Sequence, residues 1–156
     1  LLEAHPEARQ GLEAEQRALW GTAATFHFEL GQYGLSLAFA ERVLGANPAP
    51  RDACFASAYR VMARQALRDP ALDAAQFAAV DAQCSAVREY VPAALASLAH
   101  VRHLRAQGRL DEAMALLMDR LGAIDSTRVP RLLAEAYALD AELLQAARRP
   151  ADARRQ

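Results

Sequence analysis

His100 and His103 stand three residues apart, which makes them neighbours on one surface if the segment is helical. Zinc would need further ligands, and a catalytic role would need an acid or nucleophile held at defined reach. Asp111 and Glu112 follow beyond Gly108, but a place just after a turn is explained by the first turn of a helix, where the macrodipole favours negative charge. The pair is therefore expected as solvated or capping histidines, with no metal assigned. His27, between Phe26 and Phe28, is expected as a packed helix residue and not a base. Cys54 and Cys84 fall at the same level of a hairpin turning near residues 69 to 70, so a disulfide forms if they face each other. In an alanine-rich cytosolic array, reduced small core residues are the commoner outcome. There is no Gly-rich phosphate loop, Cys-x-x-Cys pair or nucleophile motif. No catalytic residue and no cofactor is assigned, and this segment is not expected to be an enzyme in itself.

The elements that would position these groups are helices. About a quarter of the 156 residues are alanine and about one in seven is leucine, whereas isoleucine occurs once and threonine three times. That composition excludes a β-rich or α/β fold. All 18 basic residues are arginine, as a GC-rich bacterial coding bias produces, and they are interspersed with 19 acidic residues for a net charge of −1. Neither a basic footprint for nucleic acid nor a polybasic lipid patch follows. No apolar run approaches the roughly 18 residues needed for membrane insertion. Cytoplasmic placement is expected. The chain starts at Leu1 and stops at Gln156 inside an unfinished helical pattern, so it is expected to be a segment of a longer polypeptide.

Breakers at Gly31, Asn47-Pro48, Asp69-Pro70, Val91-Pro92, Gly108, Asp125 to Pro130 and Arg149-Pro150 separate apolar-periodic stretches. The spacing predicts helices near 7–30, 33–46, 51–68, 71–89, 92–107, 110–124, 129–147 and from 151 onward. Gly31, Asp69, Gly108 and Arg148 stand 38, 39 and 40 residues apart, a period of two helices. Small residues at the hairpin crossings let paired helices approach: Ser36 and Ala40, then Ala74 and Ala78, then Ala113.

Trp20, Ala24, Gly31, Tyr33, Ala40 and Pro48 carry a spacing that resembles the tetratricopeptide repeat family, and QGRLDEA at 107–113 is similar to that family's inter-helix turn. The second and fourth units depart from the pattern, with Asp69-Pro70 in place of a glycine turn, and the period exceeds the family's 34 residues. The resemblance runs from about Glu15 to Gln156. It implies an all-α, right-handed α-solenoid of about three and a half hairpins, with repeats at 15–50, 51–91, 92–128 and a partial one at 129–156.

The resemblance places a concave binding face on the first helix of each unit. That face would hold Ala18, Gly21, Thr22, Thr25, Phe28 and Glu29, then Tyr59, Arg60, Ala63 and Leu67. Later units would add Leu95, Leu98, Arg102, Arg105, Glu135, Ala138, Glu142 and Gln145. The family's carboxylate clamp is absent, since its positions hold Gly21, Thr25, Arg60, Leu95 and Ala99. Phe28, Glu29, Tyr59, Arg60, Arg102, Arg105 and Glu142 are the candidate partner-binding residues. Arg60, Arg102 and Arg105 either form a basic spot for a carboxylate or phosphate or pair with Glu29, Glu135 and Glu142. Most of Trp20, Phe26, Phe28, Tyr33 and Phe39 are expected in inter-helix core, with Phe28 partly exposed and Tyr90 and Tyr137 covering helix joints.

The implied function is a non-catalytic scaffold that binds a protein, a peptide or an adjacent domain of a larger bacterial regulator. The alternatives are a regulatory or dimerisation domain of a signalling enzyme such as a diguanylate cyclase, and a small-ligand sensor of a transcription regulator. A homodimer through exposed end helices is a further expectation.

Overall fold

The computed structural model describes residues 6–153, with side-chain surroundings for 11–148, and among them every regular element is a helix. Helices α1 (Pro6–Glu29), α2 (Tyr33–Gly45), α3 (Pro50–Ala66), α4 (Ala74–Ala86), α5 (Tyr90–Ala106), α6 (Leu110–Ser126) and α7 (Pro130–Ala153) follow in order. Each helix packs on its chain neighbours. The odd helices also pack on one another, α1 on α3, α3 on α5 and α5 on α7, whereas the even ones lack such backbone contacts, and α4 and α6 meet through the Arg120–Asp81 ion pair at 2.9 Å. Two layers result, and close backbone packing between alternate helices is confined to the odd layer.

All six connections contain one residue with a left-handed backbone: Gly31, Asn47, Arg68, Arg88, Gly108 and Arg128. At four of them two further bonds close the helix end, as at α1, where Gly31 N donates to Phe28 O at 2.9 Å and Gln32 N to His27 O at 2.8 Å. The same pair recurs at Arg68-Asp69, Arg88-Glu89 and Gly108-Arg109. An arginine in this conformation costs about 1–2 kcal/mol that glycine escapes, so packing rather than local preference sets three of the bends.

Two departures from the expected elements have physical causes. Helix α4 starts at Ala74 and not at 71, because residues 67–73 form a built connection and not a tight turn. Arg64 Nε donates to Asp69 at 2.6 Å and its Nη1 to Gln76 at 3.1 Å. Asp73 and Gln76 form a capping box, and Leu72 is buried beneath the connection. The longer connection slides the hairpin crossing along α4: Val80 and Cys84 are buried there, and Ala74 and Ala78 are exposed. Ser36, Ala40 and Ala113 do occupy their crossings, each fully buried. At the other end, α7 continues through Arg149-Pro150 to Ala153, so no turn divides it from the eighth helix expected after 151. Pro150 forfeits one backbone bond, but no left-handed residue accompanies it among those described. Residues 154–156 lie outside the described region.

The core has two parts that share α5. Ala96 and Ala99 join a cluster with Ala24, Ala58, Met62, Phe77 and Cys84, while Leu98, Val101 and Leu104 face Leu117, Ile124, Leu139 and Leu143. Cys54 of α3 and Cys84 of α4, both fully buried, form a disulfide with a Cα separation of 5.0 Å. This corrects the expectation of reduced thiols: the slide that carries Cys84 to the crossing aims its Sγ at α3.

Candidate functional site: the face of the odd helices

Three depressions lie along the odd helices. One of about 230 Å³ lies between α1 and α3, lined by Arg17, Ala18, Gly21, Thr22, Thr25, Asp52, Phe55 and Tyr59, with Ala24 and Val43 behind them. A second, of about 150 Å³, is lined by Phe28, Glu29, Met62, Gln65, Leu95, Arg102, Arg131 and Glu135, so four odd helices meet at it. The third, of about 680 Å³, shares Gln65 and Arg102 with the second and extends to Tyr33, Arg68, Asp69, His103 and Arg105.

Helical periodicity explains the lining. Ala18, Gly21, Thr22 and Thr25 fall on one stripe of α1, and Phe55 and Tyr59 are one turn apart on α3. Phe28 is half-buried, with its ring centroid 5.2 Å from that of Tyr33 and 5.7 Å from that of Tyr59. These rings join the first two depressions. Thr22 and Thr25 donate their hydroxyls to Ala18 O and Gly21 O of their own helix, leaving oxygen lone pairs towards the cavity.

Of the two alternatives for the arginines, pairing with glutamate holds for Arg102 and Arg105. Arg102 pairs with Glu135 and Arg105 with Glu142, tying α5 to α7. Glu29 takes neither of them: both terminal nitrogens of Arg131 reach it, at 3.1 and 3.3 Å, across 102 residues. Arg60 lines none of these depressions, and its Nε is buried without a partner. Arg60, Arg102 and Arg105 therefore do not converge. Of the other expected face residues, Ala63 and Leu98 are core, and Leu67 is half exposed outside the depressions.

The histidine pair is also placed differently from the solvated or capping expectation. His100 lies flat on Phe77 with centroids 4.5 Å apart, and His103 is tilted against the same ring at 5.6 Å. The Gln107 amide donates to His103 Nε2 at 2.9 Å. Burial holds the His100 pKa below the usual histidine range, with the charges of His103, Arg109 and Arg120 adding to it, and burial lowers His103 likewise. Among the described residues no three of His, Cys, Asp or Glu gather to hold a metal ion. His27 is packed as expected, stacked on Phe39 at 5.4 Å and bonded to Gln32 at 2.6 Å.

Three aromatic residues add little to the core. Phe26, Tyr90 and Tyr137 are 58%, 57% and 56% exposed. Beside Phe26, His27 stacks on Phe39 of α2, and Tyr90 is the first residue of α5. Conversely, Arg17, Asp52 and Phe55 were not marked by the sequence. Their signal was present: Arg17 is one residue from Ala18, and Phe55 and Asp52 stand one and two helical turns before Tyr59 on α3.

A comparison with protein-family models, with curated proteins and with solved structures finds no match to this chain. Among the described residues no helix is long and apolar enough to cross a membrane.

Proposed function

We propose that the chain is a non-catalytic scaffold of the tetratricopeptide kind, a right-handed solenoid whose odd-helix face binds a peptide, a helix or a neighbouring domain of a larger bacterial regulatory protein. The observation that carries this reading is the run of joined depressions along the odd layer, walled by aromatic rings and rimmed by arginine–glutamate pairs. Such rim pairs contribute only about 0–1 kcal/mol each. Arg102 or Arg105 can therefore exchange its glutamate for a partner's carboxylate at small cost, and the face stays neutral until something binds. The Cys54–Cys84 bridge favours an oxidising compartment over cytoplasmic placement.

The test is selection of binders from a displayed peptide library on the folded chain. Selected peptides are expected to lose about tenfold or more in affinity on Tyr59→Ala or Arg102→Ala, with no change on Glu41→Ala at the even-helix side. Binders indifferent to every odd-face substitution would sink the reading.

A second reading is self-association through the end helices, and it is favoured by apolar residues left in solvent there. Leu12, Leu19 and Phe26 are exposed on α1 and Leu30 just after it, as are Tyr137 and Leu144 on α7. Regulation or dimerisation of a signalling enzyme such as a diguanylate cyclase would use these ends, whereas a small-ligand sensor would use the cavity between α1 and α3.

A further inference from the structure

The geometry points to a binding site for a free zwitterion with an apolar body, of the chemical class of leucine or phenylalanine, in the cavity between α1 and α3. The inference rests on the reading of the odd-helix face as a binding surface and gives one part of it a ligand.

Two opposite charges line this cavity without meeting each other. Arg17 of α1 forms no ion pair among the described residues, and its Nε is buried with no acceptor. Asp52, in the first turn of α3, likewise has no ion-pair partner in the described region. Elsewhere on this face arginine and carboxylate have found one another, as Arg102 and Glu135 or Arg131 and Glu29 have. Here they stay apart on facing helices, with Phe55, Tyr59 and Val43 forming apolar wall around them.

An anion alone would answer Arg17 but face Asp52, and a cation alone would answer Asp52 but face Arg17. A molecule that carries carboxylate and ammonium at opposite sides of one carbon satisfies both, and its side chain fills the apolar space. The volume, about 230 Å³, lies below the ~300–1,000 Å³ of sites for drug-sized ligands and so suits a smaller body. Gly21 opens the floor: a Cβ built there meets no heavy atom within 4 Å. Every larger residue at that position would project into the ligand's space.

Isothermal titration of the full chain with L-leucine and L-phenylalanine tests this, alongside 4-methylpentanoate, which lacks the ammonium, and isoamylamine, which lacks the carboxylate. Saturable one-to-one binding of at least one amino acid below ~1 mM is expected, with each single-charge analogue weaker by about tenfold or more. Arg17→Gln is expected to remove the advantage of the amino acid over the amine, and Asp52→Asn its advantage over the acid. Gly21→Leu is expected to abolish binding while leaving the thermal midpoint unchanged or raised, since leucine is the better helix former. No saturable binding by either amino acid, equal binding of the single-charge analogues, or binding indifferent to Gly21→Leu would each overturn the inference. Because the peptide selection reads Tyr59 and Arg102, peptides that still depend on those residues would show that only the zwitterion assignment had failed.

Discussion

At the scale of single residues, His100 shows how packing converts a group that looked chemical into one that matters for stability. Its ring lies on Phe77, its Nε2 is buried without a partner, and burial keeps its pKa below the usual 6.5. The unfolded chain therefore takes up this proton before the native state does as pH falls. Stability is fully present above about 6.5, declines as pH drops through that value, and stops declining below the native pKa. His103 is shifted in the same direction. Asp69 and Glu112, both held below the ordinary carboxylate range by arginine, act only below about pH 4.5 and leave this window clear. The urea midpoint is expected to be lower at pH 5 than at pH 7.5, and His100→Leu is expected to shrink that difference. An unchanged difference would count against the packed, neutral histidine. None of this was legible in the His-x-x-His spacing, because Phe77 lies in the preceding helix and reaches the pair only through the fold.

At the scale of elements, the second hairpin depends on one covalent and one polar fastening. The Cys54–Cys84 bridge closes a loop with a sequence separation of 30, for which chain entropy predicts about 3–4 kcal/mol of stabilisation. Replacing both cysteines by alanine is expected to lower the urea-derived unfolding free energy by roughly that amount, and reductant is expected to act on the native sequence but not on the variant. Two free thiols on denaturation without reductant would remove the bridge altogether. The existence of this hairpin and the level of its two cysteines were legible from the breakers and the near-even helix lengths. The start of α4 was not: Asp69-Pro70 resembles a turn by itself, and the capping box at Asp73 and Gln76 acts together with Arg64, whose reach to Gln76 spans 12 residues. Arg68, Arg88 and Arg128 were equally hidden, since arginine has no preference for the left-handed backbone that each adopts. Helix ends marked by Gly31 and Gly108 were legible for the opposite reason.

At the scale of the whole molecule, the repeat makes the two ends comparable with the middle. Ala94, Leu98, Val101 and Leu104 of α5 are buried, all within the cluster formed with α6 and α7. Forty residues on, their counterparts Ala134, Ala138, Ala141 and Leu144 of α7 are exposed. Helix α7 thus presents to solvent the face that α5 buries, and α1 presents Leu12, Leu19 and Phe26 at the opposite end. Sedimentation over a micromolar-to-millimolar series is expected to show a rising average mass, reduced by Leu19→Arg or Ala138→Arg. A monomer at every concentration would sink the self-association reading. The odd-helix face was legible in outline from helical periodicity. Its electrostatics were not, because partners such as Arg102 and Glu135 are 33 residues apart and sequence does not say which arginine meets which carboxylate.

The pair between Glu29 and Arg131 has a consequence of another kind. It joins the last residue of the first helix to the second residue of the last one, and both side chains are well exposed, so dissolved ions screen it readily. Salt is therefore expected to loosen this one link between the first and last helices, while the packing of α1 on α3, α3 on α5 and α5 on α7 holds the stack without it.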